Sequence, residues 1–201
     1  MSIQVVRGAV TWTSGMAVDG DGAPTCYAPA NSGLPALDYL GNAGKPGRWY
    51  GIVCDSSGVP VIQGSEDPAP GYYVSTTALS DRNKGNSDPH RYVDSSVMPY
   101  IAVPPSLHKE GVHLGDVAMV VYKNAQCGAI VADIGPEGHY GEGSIALAVA
   151  LGMNASPKHG GVVDGVSFVV FPNSQRGWPR TVEDVKTQAE RLYSAWSFPV
   201  V

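Results

Sequence analysis

The 201 residues suit one sizeable domain, 1–201, with a core of its own. With 43% hydrophobic and 15% charged residues the chain is too apolar and too weakly charged for disorder. A net charge of −5 lacks the basic balance of a nucleic-acid binder, and no stretch approaches the roughly 20 apolar residues of a spanning helix, so neither nucleic acid nor membrane is expected as a partner.

The 25 glycines and 16 prolines predict many turns and short strands. Apolar runs rich in β-formers place strands at Ile3–Val6, Ala9–Thr13, Trp49–Cys54, Val59–Ile62, Tyr72–Thr77, Tyr100–Val103, Val117–Tyr122, Ala129–Asp133 and Val162–Phe171. A short helix is expected over Leu34–Leu40. A second runs from Ile145 to Leu151, with Ser144 as N-cap and Gly152 as the left-handed stop. A third opens at Thr181, where Asp184 completes a capping box, and runs to about Trp196. The sum is a mainly β molecule, barrel or sandwich, with two to three peripheral α-helices. The N-terminus shows no charged segment followed by an apolar stretch and a cleavage site, so no signal peptide is expected in this chain. Cys26, Cys54 and Cys127 lack metal or redox spacing. Three reduced thiols, or one disulfide plus a free thiol, are the open readings.

The segment with most chemical content is Ala129–Ile145. A strand delivers Asp133 at its end, a turn with Gly135, Gly138, Gly141 and Gly143 follows, and Glu142 stands nine positions later before a helix start. Two positioned carboxyl groups, one protonated and one ionised, suffice to cleave a glycosidic bond. His139 and Tyr140 in the same loop offer polar and stacking surface. The plainer reading has Asp133 anchoring the Gly-Pro turn and Glu142 favouring the helix N-terminus. Asp19-Gly-Asp21-Gly-Ala-Pro reads as a turn, as part of a substrate site, or as the opening of a calcium loop. The calcium reading lacks the acidic residue at loop position 12, where Ala30 falls. Tyr72-Tyr-Val-Ser75-Thr76-Thr77 and Tyr92-Val-Asp94 could line a sugar cleft or form ordinary half-exposed strands. Five scattered histidines carry no zinc spacing, and Ser144 does not sit in a Gly-x-Ser-x-Gly elbow. No metal and no cofactor is expected.

The order of these motifs, with Pro99-Tyr-Ile-Ala-Val-Pro104, Gly115-Asp-Val-Ala and Asp133-Ile-Gly-Pro…Gly141-Glu142-Gly-Ser-Ile, resembles glycoside hydrolase family 75, the endo-chitosanases. The likeness covers about residues 16–171, and a helical extension over about 181–197 lies beyond it. It implies endo-hydrolysis of the β-1,4 bonds of chitosan with inversion, Asp133 and Glu142 as the catalytic pair, and Asp19, Asp21 and Asp94 in the cleft. Glu142 is expected as acid and Asp133 as base. Tyr72, Ser75, Thr76, His139 and Tyr140, with Tyr92 and Trp49, are the further binding candidates. A monomer acting on a polysaccharide, secreted or extracellular, follows from the same likeness. A weaker similarity to double-psi β-barrel proteins implies a six-stranded double-psi-like barrel with a sugar cleft along one side. Two other functions fit such a fold: a peptidoglycan-cleaving hydrolase or secreted antibacterial toxin, and a non-catalytic carbohydrate-binding barrel.

Overall fold

The computed structural model describes residues 2–198. In chain order the strands are β1 (Gln4–Val6), β2 (Ala9–Asp19), β3 (Gly44–Lys45), β4 (Arg48–Trp49), β5 (Tyr100–Val103), β6 (Val117–Tyr122), β7 (Ala125–Ile134), β8 (Glu142–Ser144) and β9 (Val162–Phe171). Helix α1 spans Ile145–Ala150 and α2 spans Val182–Ser197. Six strands close on themselves in the order β2-β8-β5-β7-β6-β9, with β9 pairing back to β2. This is the expected six-stranded barrel with peripheral helices. Strand β1 adds to the outside of β2 through a hairpin at Arg7 and Gly8, both with positive φ (50° and 79°), as a tight hairpin turn requires.

Alternation along the strands separates two faces. Val10, Trp12, Met16 and Val18 of β2 point into the barrel and meet Ile101, Val103, Val120, Val131, Phe168 and Val170. Trp12 stacks on Phe168 with ring centroids 5.0 Å apart. The outer face carries two covers. Helix α2 lays Val185 and Ala189 over Val117, Met119 and Ile130 of β6 and β7. It approaches so closely that a β-carbon built at Gly128 would lie 2.9 Å from the Ala189 side chain. The second cover is the long excursion between β2 and β5. It has its own small core of Ala23, Cys26, Tyr27, Ala43 and Ile52.

Ser144 joins strand, helix and sheet. It N-caps α1 by accepting from Leu147 N (3.1 Å), and the same Oγ accepts from Tyr100 N (3.0 Å) in β5. Ser144→Ala leaves two buried N–H groups without their acceptor. It should cost about 2–3 kcal/mol and lower Tm by roughly 4–12 °C, read by thermal unfolding.

Several expectations change. Apart from Trp49, which ends the short β3–β4 ladder, the runs Trp49–Cys54, Val59–Ile62 and Tyr72–Thr77 form only single bridges, Ile52 with Ser75, Cys54 with Pro60 and Ile62 with Tyr73. Gly58 and Gly71, both at positive φ, turn the chain just before two of these runs, and Pro60 has no N–H to extend a ladder. Leu34–Leu40 is not a helix. Leu37 N and Asp38 N instead bond the carbonyls of Thr25 and Cys26, and a 3-10 turn forms later, at Leu40–Ala43. Cys26, Cys54 and Cys127 are all unpaired. No helix among the described residues is long and apolar enough to cross a membrane.

Candidate functional site

Strand register brings Asp133 and Glu142 together. Ala102 of β5 pairs with Asp133 of β7 on one side and with Glu142 of β8 on the other. Laterally paired residues share a face, so both carboxylates stand on the outer side of the barrel, flanking Ala102. Two strand spacings separate their α-carbons by about 9.5 Å. Glu142 also pairs with Ala17 of β2, and Asp19, two residues on, shares that face.

A β-bulge makes this possible. Ile101 pairs with Val131 but Ala102 pairs with Asp133, so Ala132 is the extra residue. Val131 points into the apolar barrel. Strict alternation would send Asp133 there too, an expensive place for a carboxylate. The bulge turns it outward instead. The loop cover docks on this irregularity: Leu79 N donates to the Ala132 carbonyl (2.8 Å), and Ala78 N donates to Asp133 Oδ1 (3.0 Å). Ile134 N donates to the same Oδ1 (2.8 Å), so both backbone donors fall on one oxygen of the carboxyl.

Asp19 ends β2 and starts a turn in which its Oδ1 accepts from Asp21 N (2.8 Å). The turn reading of the Asp19–Asp21 motif thus accounts for Asp19. Asp21 Oδ1 accepts from Tyr27 OH (2.6 Å), and the Asp21 carbonyl accepts from Tyr100 OH (2.9 Å). Gly22 follows at φ 79°, where a β-carbon would lie 2.0 Å from the Val93 carbonyl oxygen, so only glycine lets the turn lie this deep.

All four carboxyls hold their protons more tightly than usual. Burial raises Asp19, against the pull of its hydrogen bonds to Asp21 and Tyr100. Burial, then the charges of Asp19 and Asp133, lifts Asp21 well above the carboxylate range. Burial, then Asp19, does the same to Asp133, partly offset by its two backbone donors. Burial, then the charges of Asp19 and Asp38, pushes Glu142 up to about 7. None of the leading influences on these four groups is a lysine or arginine. The four acids crowd together and favour their neutral forms, and a cationic ligand beside them would favour the ionised ones. No group of three or more His, Cys, Asp and Glu among the described residues is placed to hold a metal ion.

The other candidates divide. Ser75 is buried and structural, accepting from Gly22 N (3.0 Å) and donating to the Gly51 carbonyl (3.2 Å). Tyr72 is buried in the loop cover with its OH on the Pro35 carbonyl, so it presents no ring to a ligand. Thr76 donates to the Tyr50 carbonyl (3.2 Å) in the wall beside Asp21. Asp94 closes its own turn through Ser96 N and lines a depression with Gly22, Tyr92 and Trp178. His139 is exposed on the loop before β8. Tyr140 anchors that loop: its OH meets Ser106 Oγ (2.9 Å), and its carbonyl accepts from the Trp12 indole. Trp49 packs on the small core of the loop cover. Pattern reading missed Tyr27, Tyr100 and Asp38, which sit in no periodic motif. It also missed Tyr50, 67% exposed beside Gly51, whose β-position would lie 3.3 Å from Asp21 Oδ1. An exposed tyrosine next to a glycine is the one signal that could have found it.

Glu142 Oε2 rests against Gly135, where a β-carbon would lie 2.8 Å away. That neighbour is the end of a flexible side chain, so Gly135→Ala should move the carboxylate rather than the fold. Stability to thermal unfolding should change by less than about 1 kcal/mol.

No family model matches the chain, and no curated protein matches it.

Proposed function

We propose that this protein is an endo-acting glycoside hydrolase that cleaves β-1,4-linked glucosamine polymers, chitosan above all, with inversion. The observation that carries the reading is the placement of Asp133 and Glu142 on either side of Ala102, in an acidic field whose leading influences include no internal cation. α-carbons two strands apart are compatible with the 6.5–9.5 Å between carboxyl groups that admits a water beneath the sugar. The family likeness of the Asp133–Ile145 segment points the same way, and the uncompensated carboxylates suit glucosamine ammonium groups.

Glu142 is the acid. A carboxyl pushed up to about 7 keeps its proton at mildly acidic pH and gives it to the leaving glycosidic oxygen. Asp133 is the base. Burial and Asp19 raise its hold on a proton, two backbone N–H groups on Oδ1 work against that, and the ammonium groups of a bound glucosamine chain would favour the ionised form that takes a proton from the attacking water. The water oxygen bonds to the anomeric carbon as the C–O bond to the leaving sugar breaks, and both carboxyls exchange protons with solvent afterwards. Asp19 and Asp38 help keep Glu142 protonated, and Asp21 with Asp19 pairs with ammonium groups. Tyr50 offers a face to a sugar ring.

Two dependences test this. Turnover of chitosan should fall as pH rises through about 7, because Glu142 loses the proton it must donate. Added salt should raise KM for chitosan, since exposed charge pairs are screened. A pH–rate profile flat from 5 to 9, with salt-independent KM, would contradict both roles. Reducing-end release from peptidoglycan but not from chitosan would move the same pair to a cell-wall substrate.

A further inference from the structure

A second charged region lies beside α2, on the other cover of the barrel. Four of the seven arginines, Arg7, Arg176, Arg180 and Arg191, gather around two adjoining depressions of ≈ 510 and ≈ 260 Å³ that share Arg176, Gln188 and Arg191. The ion pairs found among the described residues involve none of the four. Two carboxylates, Glu183 and Asp184, line the smaller depression with the arginines, and each also has partners of its own. Asp184 is held by Thr181 N and Oγ1, and Glu183 accepts from Thr187 Oγ1 and faces Lys186.

Gln188 stands where the depressions meet and is 5% exposed. Its Nε2 donates to the Ser174 carbonyl (2.7 Å), which settles the orientation of the amide. The buried Oε1 has no partner. Arg180 donates through Nη2 to the Asp184 carbonyl (3.0 Å), but its buried Nη1 likewise has no partner. Buried polar atoms are rarely left unpaired, and each such atom calls for a ligand or water. Burial and the neighbouring charge of Arg176 also make the Arg180 cation less favourable than usual, with Asp184 offsetting only part of this. The groove therefore asks for an anion on its guanidinium side and a hydrogen-bond donor at Gln188. A carboxylate meets only the first demand. A phosphate monoester meets both, with its oxygens on the arginine forks and a P–OH or a neighbouring hydroxyl on Oε1.

We propose that the groove between α2 and the 173–180 loop binds a phosphate monoester, with Arg176, Arg180 and Arg191 on the phosphate oxygens and Gln188 Oε1 accepting from a ligand hydroxyl. The site shares no residue with the acidic face and does not rest on the hydrolase reading.

The test is thermal unfolding of the full chain at constant ionic strength with glycerol 3-phosphate, inorganic phosphate, glycerol or sodium chloride. Binding to the folded state raises Tm in a saturable way. Glycerol 3-phosphate should do this at millimolar concentration, and glycerol and sodium chloride should not. Arg176→Gln combined with Arg191→Gln, both exposed positions, should weaken the effect about tenfold or more and leave the unliganded Tm within a few degrees. Tighter binding of glycerol 3-phosphate than of inorganic phosphate assigns the Gln188 donor to the polyol, and equal binding assigns it to the phosphate's own proton. A shift that sodium chloride reproduces, or that survives the double substitution unchanged, overturns the site. Chitosan cleavage should be unaltered in the double variant, so failure here leaves the hydrolase reading untouched.

Discussion

Replacing Glu142 with Gln should stabilise the protein at pH 8 and leave it nearly unchanged at pH 4. In the folded chain the group binds its proton up to about 7, against 4.5 for an unperturbed glutamate. Between those values the folded state holds more protons than the unfolded state, so stability is greatest at low pH and falls as pH rises through about 7. Above that, wild type carries a half-buried charge beside Asp19 and Asp38, and an amide of the same shape carries none. The shift bounds the gain at about 3 kcal/mol, and relaxation of the neighbouring carboxyls reduces it to about 1–3 kcal/mol. For a domain of this size that is roughly 2–12 °C in Tm. Equal Tm values at both pH values would mean that Glu142 is solvated and unstrained. A stabilising substitution at a position held against its own chemistry is the usual mark of a functional group.

The second large effect is on turnover. Asp133→Asn and Glu142→Gln should each lower chitosan cleavage by about 10³-fold, within the range that general acid or base catalysis contributes. The two losses should differ in kind. The side-chain amide in Asp133→Asn still offers a carbonyl oxygen to Ala78 N and Ile134 N, so the bulge and the docked loop should survive with Tm no lower than wild type. Glu142→Gln removes the acid, so whatever turnover remains should no longer fall across pH 7. Substrates with a leaving group that needs no protonation should recover most of the loss in Glu142→Gln and little of it in Asp133→Asn. Full activity in either well-folded variant would return that residue to the turn and cap roles that local sequence pattern also allows.

Much of the barrel was legible because its strands are apolar on both faces. Tyr100–Val103, Val117–Tyr122 and Val162–Phe171 emerge with the expected bounds. The Ser144 cap and the Thr181–Asp184 capping box were equally plain, since each is a local hydrogen-bond device written in two residues. Strand β8 was not legible. Glu142-Gly-Ser144 has no strand propensity, and it is extended only because β2 and β5 lie on either side of it. The runs of the loop cover misled for the opposite reason, having strand composition but no partner long enough to form a ladder. At the site, the spacing of Asp133 and Glu142 suggested a pair, but their common face depends on the extra residue at Ala132. Alternation alone would have turned Asp133 into the barrel. Tyr27, Asp38 and Tyr100 reach the acidic face from distant segments, and only the folded chain brings them there.

The most direct test of the central claim is proton NMR of chitosan during the first minutes of incubation with wild-type protein. Inverting hydrolysis across a pair two strands apart predicts new reducing ends that appear first as the α-anomer and then mutarotate. Reducing ends that appear first as the β-anomer would require carboxyls about 5 Å apart and contradict this geometry, and no new reducing ends would contradict the hydrolase reading itself.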